Sequence, residues 1–69
     1  MSPDAKAFVS KAIAARRHVA RWSQAELAEK CGVTRQMIDR LERGQVTPSL
    51  RTLEALAAAF DIAPSELLP

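Results

Sequence analysis

Residues 28–36 read AEKCGVTRQ, two stretches of helix-favouring residues with a glycine between them and no loop-like sequence on either side. Gly32 is one of only two glycines in the chain, and inside a helix it costs about 1 kcal/mol relative to Ala. A sharp corner offsets that cost. Two helices joined by Cys31-Gly32-Val33 cross at a steep angle, because the middle glycine adopts a positive φ where a Cβ would clash. Counting from Gln24 as one, such a crossing needs a small residue at five, supplied by Ala28, where the later helix passes over the earlier. It needs apolar residues at four, eight, ten, fifteen and eighteen, and Leu27, Cys31, Val33, Ile38 and Leu41 stand there. Cys31 is thereby a small core residue rather than a reactive thiol.

Outward from the corner, Ser23-Gln-Ala-Glu26 is a capping-box sequence that starts the earlier helix, with Trp22 and Leu27 as its hydrophobic staple. That helix runs from Gln24 to about Lys30. Thr34 caps the next, which runs from Arg35 to about Arg43 and stops at Gly44. Upstream, Ser2, Pro3 and Asp4 form a helix start, and Val9, Ala12, Ile13 and Arg16 keep one helical face to about Arg17, with Phe8 at its border. Downstream, after the Pro48 loop, Ser49 or Thr47 caps a helix with Leu50, Leu53, Ala57 and Phe60 inward, and Pro64 opens a last short turn, SELL. The expectation is an all-α compact domain of five helices over residues 1–69, with no strand, repeat or linker.

A chain of 69 residues buries one small core, so a large enzyme cleft is excluded. Thirteen alanines and only three aromatics, Phe8, Trp22 and Phe60, mean that helices approach through small side chains. One Cys and one His supply neither a disulfide nor a zinc set, and with no Tyr and no glycine-rich phosphate loop the parts of an enzyme are missing. No metal or cofactor is expected. No apolar run reaches the roughly 18 residues that span a bilayer, and the start MSPDAKAFVSK lacks a signal core, so the expectation is a soluble, cytoplasmic chain, complete from Met1, without a membrane partner. Net charge is +2, but residues 1–51 hold all ten Lys and Arg, while residues 52–69 hold Glu54, Asp61 and Glu66 and no base. One end is basic, which suits a polyanion and equally describes a solvated charged face.

The run QAELAEKCGVTRQMIDRLERGQVTPSLRTLEALAAAFDIAPSELL resembles the helix-turn-helix family of phage repressor, Cro and XRE-type regulators, over roughly Val9 to Leu68. The resemblance implies a lambda-repressor-like DNA-binding domain with its helix-turn-helix core at about 23–43. Its third helix would lie in the major groove of double-stranded DNA and its second across the backbone. The face of helix 3 opposite Ile38 and Leu41 offers Arg35, Gln36, Asp39, Arg40 and Arg43. Arg pairs bidentately with guanine and Gln with adenine, and Arg35, Gln36 and Arg40 match positions where related repressors read bases. Thr34 stands at the groove edge. Asp39 either reads cytosine or orients Arg35 or Arg43 through an i,i+4 pair, the preferred reading.

The phosphate contacts implied are Ser23 and Gln24 at the amide-rich start of helix 2, the loop Arg43, Gly44, Gln45 and Thr47, and Arg17. Lys11, Arg21 and Arg51 are weaker candidates, chosen on charge alone. The family also places Arg17 and Glu42 as a partly buried ion pair joining helices 1 and 3. Selectivity needs two half-sites, so a homodimer on an inverted repeat is expected, with Ile62, Pro64, Leu67 and Leu68 as interface candidates; one of the two leucines is expected to fold back into the core. Three positions depart from the family: Arg21 where relatives often carry Gly, Asp61 in place of Gly after helix 4, and Ala63 without a capping side chain. The expectation is therefore a transcriptional regulator, a repressor or a controller, without a small-molecule effector. The alternative on the same fold is a protein-interaction adaptor or antitoxin, with a protein partner such as a toxin or RNA polymerase.

Overall fold

Side-chain caps set the element boundaries of the computed structural model, which describes all 69 residues. The Ser2 hydroxyl accepts from the Ala5 amide at 3.1 Å and starts α1, Pro3–Ala20. Ser23 accepts from the Glu26 amide at 3.0 Å while Glu26 accepts from the Ser23 amide at 2.9 Å, so the expected capping box opens α2, Gln24–Cys31. Thr34 caps α3, Arg35–Glu42, through the Met37 amide, and Ser49, not Thr47, caps α4, Leu50–Phe60, through the Thr52 amide. A single 3₁₀ turn, Pro64–Leu67, follows, so there are four α-helices and one 3₁₀ turn rather than five helices. Proline fixes its first position, Leu68 is already extended, and the four residues Pro64–Leu67 complete no more than an i→i+3 turn. Ala63 brings no capping side chain, yet its amide donates to Glu66 Oε2 at 2.8 Å, which leaves half of a capping box.

One apolar core joins all five pieces. Val9 and Ile13 enter from α1, Leu27 and Ala28 from α2, Ile38 and Leu41 from α3, Leu53, Leu56 and Ala57 from α4, and Leu67 from the terminal turn. Ile13, Leu27, Ile38, Leu41, Leu56 and Leu67 have essentially no exposed surface, and each such side chain stabilises the fold by roughly 1.5–3 kcal/mol. Two assignments change. Leu50, placed inward by its spacing, is 71% exposed, because it is the first residue of α4 and no element packs over it, and Leu56 fills the core position instead. Leu67, a candidate for the paired surface, is wholly enclosed and is the leucine that folds back, whereas Leu68 is half-buried.

α1 also runs three residues past its expected end, to Ala20. Arg21 then turns the chain in the left-handed region, φ 61°, the conformation glycine would supply, and Asp61 does the same after α4 at φ 57°. The turn brings Trp22 onto Phe60, ring centroids 5.7 Å apart and nearly parallel, with Lys30 Nζ 4.6 Å from the Trp22 ring centre. This stack ties α4 to the start of α2, and Trp22 is structural through Phe60 of α4.

Candidate nucleic-acid interface

The corner between α2 and α3 forms as its sequence requires. Gly32 sits at φ 69°, its amide donates to Glu29 O, and the Val33 amide donates to Ala28 O at 3.0 Å, which closes α2. Ala28 is buried at the crossing. With Ile38 and Leu41 locked in the core, the opposite side of α3 presents Arg35, Gln36, Arg40 and Arg43 to solvent, with Asp39 half-buried beside them.

Gln24, the first residue of α2, reaches across to three side chains of α3. Its Nε2 donates to Asp39 Oδ1 at 3.3 Å and to Glu42 Oε1 at 3.2 Å, and its Oε1 accepts from Arg35 Nη1 at 3.4 Å. An amide can do this because it both donates and accepts. Asp39 in turn holds Arg43, Nε to Oδ2 3.0 Å, one helical turn on. The Gln24 and Arg43 hydrogen bonds favour the ionised carboxylate and hold Asp39 below its ordinary range. Asp39 thus occupies the orienting position of an i,i+4 pair, with Arg43 rather than Arg35 as its ion-pair partner.

Beneath this surface, Arg17 and Glu42 form a two-point pair, Nε–Oε2 2.6 Å and Nη2–Oε1 2.9 Å, between α1 and α3. Both are largely enclosed, at 12% and 8% side-chain exposure. Arg17 Nη1 also donates to Trp22 O at 2.9 Å and Nη2 lies 3.0 Å from His18 Nε2, so every nitrogen of the guanidinium has a partner. The bond to Glu42 raises the Arg17 pKa and keeps the charge fixed. Burial pushes the half-buried Cys31 thiol up, away from the reactive thiolate, as its core assignment requires.

The remaining candidates divide by whether they are engaged. Gln36 and Arg40 make no side-chain hydrogen bond or ion pair within the chain and are free on the outer face of α3, as are Gln45 and Thr47 in the following loop. The Ser23 and Thr34 hydroxyls are occupied as caps. The Gln24 and Ala25 amides at the start of α2 have no acceptor within the chain. Sequence reasoning missed the reach of Gln24 into α3, because spacing along the chain gives no distance between residues 24 and 39 until the corner at Gly32 is built.

Residues 13–67 match the model of the helix-turn-helix family HTH_3. The chain belongs to this XRE-type family. Among curated relatives, the immunity repressor protein of Bacillus phage phi105 is 38% identical over 60 residues, covering 87% of this chain and 42% of the repressor. Among solved structures, a restriction-modification controller protein from Aeromonas hydrophila superposes at a TM-score of 0.86 with 34% identity, covering 90% of this helix-turn-helix chain and 94% of the controller. The P22 c2 repressor, in a structure with a synthetic operator, gives a TM-score of 0.83 with 33% identity, covering 87% and 91% of the two chains. This chain spans less than half the length of the curated relatives it matches. No helix is long and apolar enough to cross a membrane.

Proposed function

We propose that this helix-turn-helix domain is a sequence-specific regulator of transcription that reads the major groove of double-stranded DNA with α3 and acts as a two-fold dimer on an inverted repeat. One observation carries the reading: α3 is pinned by Ile38 and Leu41 on its inner side and exposes Arg35, Gln36 and Arg40 on its outer side. Arg40 and Gln36 are the unengaged readers, suited to guanine and adenine. Arg35 reads from a position that Gln24 supports, Thr34 lies at the groove edge, and Asp39 acts through Arg43. Ser23, Gln24, Gln45, Thr47 and Arg43 meet phosphates, and Arg17 serves chiefly as the strut to Glu42. The relatives named above are repressors and a controller, one of them in a structure with operator DNA, which supports the same assignment. Ile62, Pro64 and Leu68 form the dimer surface.

The test is selection of tight binders from a random duplex pool at near-physiological salt. Enrichment of an inverted repeat with half-sites about one helical turn apart is expected. An unselected pool, with binding that vanishes as salt rises, would overturn the reading in favour of counterion-driven contact and direct the search to a protein partner.

A further inference from the structure

An open groove of about 610 Å³ lies between the first half of α1 and the end of α3. Lys6, Lys11 and Arg43 line it, with Ser10, Glu42 and Gly44. Glu42 does not neutralise the lysines, since Arg17 and Gln24 already occupy its carboxylate. The ion pairs of the chain are Arg16–Glu66, Arg17–Glu42 and Arg43–Asp39, so Lys6 and Lys11 are both uncompensated. At Gly44 the loop after α3 rests directly on α1. A Cβ there would lie 3.6 Å from Ser10 Oγ, so the start of the loop that follows α3 forms one edge of the groove. The Val46 and Thr47 amides of that loop have no backbone acceptor.

We infer that this groove takes the phosphodiester backbone of duplex DNA flanking the half-site. Lys6 and Lys11 neutralise phosphates beyond those met by Arg43 and the loop. The inference rests on the DNA-reading function proposed above and extends its footprint along α1, away from the base-reading face. A contact of this kind is electrostatic and blind to sequence: each neutralised phosphate adds about 0.9 to the steepness of log affinity against log salt.

The experiment compares the wild type with the double variant Lys6→Gln/Lys11→Gln on the selected operator. The operator is carried in a long duplex and in one trimmed by several base pairs at each end, and binding is measured across salt. The wild type should lose affinity on trimming. The variant should bind the long duplex as the wild type binds the short one, should lose nothing further on trimming, and should keep the same sequence preference. Because a dimer carries four of these lysines, the wild type on the long duplex should lose about a hundredfold more affinity than the variant between roughly 50 and 200 mM salt. Lys30→Gln, which removes a single charge beside Trp22, away from the groove, should keep the full trimming penalty. A lysine variant with the wild-type slope and trimming penalty overturns the inference, as does a Lys30→Gln slope that falls equally. A wild type that enriches no sequence overturns the functional reading and this one with it. A clear operator with an intact trimming penalty in the lysine variant overturns this inference alone.

Discussion

Glu42 accepts two hydrogen bonds from Arg17 and one from Gln24, so removing its carboxylate leaves a largely enclosed guanidinium without its counter-charge and frees a side chain of α2. Glu42→Ala should destabilise the domain by about 3 kcal/mol, and Glu42→Gln by less, because an amide oxygen still accepts. Chemical denaturation of Arg17→Ala, Glu42→Ala and the double variant checks it, and the absence of coupling between the two positions would refute the pair. Two further carboxylates set a pH dependence. Glu26 is held below its ordinary range chiefly by the Ser23 amide, and Asp39 by Gln24 and Arg43. Because the folded pKa is depressed in both, their contribution is complete above about pH 4–5 and is lost as pH falls through the folded values. Stability should therefore drop on the acid side, and Glu26→Gln should flatten that drop in a series of melts against pH. At this scale the Arg17–Glu42 pair is legible from the family resemblance, while the bonds that Gln24 makes are not, since they depend on a distance between two helices.

The corners between helices use the left-handed conformation four times, at Arg21, Gly32, Gly44 and Asp61. For an L side chain that conformation costs roughly 1–2 kcal/mol, and glycine avoids it. Nothing lies within 4 Å of a Cβ built on Gly32, so Gly32→Ala should cost about 1 kcal/mol through the backbone alone, without distorting the α2–α3 crossing. Arg21→Gly runs the other way and should raise stability by about 0.5–1 kcal/mol in thermal melts, offset in part by the freer unfolded chain. The caps at Ser2, Ser23 and Thr34 and the stop at Gly44 are legible because each is a local bond of known spacing. The last turn of α1 is not, because Val19 there is 85% exposed, and apolar periodicity registers burial rather than helicity. Leu50 misleads for the same reason, as an apolar residue at helical spacing with nothing above it.

A domain of this size has a net stability of only about 3–10 kcal/mol, so the terminal turn matters more than its four residues suggest. Leu67 closes the base of the core, and Leu67→Ala should cost about 2–5 kcal/mol and leave a fraction of the molecules unfolded at ambient temperature. Leu68→Asp, at the neighbouring half-buried position, should leave the melting temperature within a few degrees of the wild type and shift the proposed dimer towards monomer in sedimentation. Which leucine faces inward is beyond the reach of sequence pattern, since a two-residue run at the end of a short turn has no period to read. The polarity of the molecule, basic up to α4 and acidic beyond it, is legible from the chain alone. The stack of Trp22 on Phe60 has an optical consequence. The chain has one tryptophan and no tyrosine, so its ultraviolet emission comes from a single place, where α4 leans on the start of α2 under the Lys30 ammonium. A change in the colour or yield of that light reports α4 parting from the start of α2, which gives the domain a built-in gauge of its own closure with no dye attached.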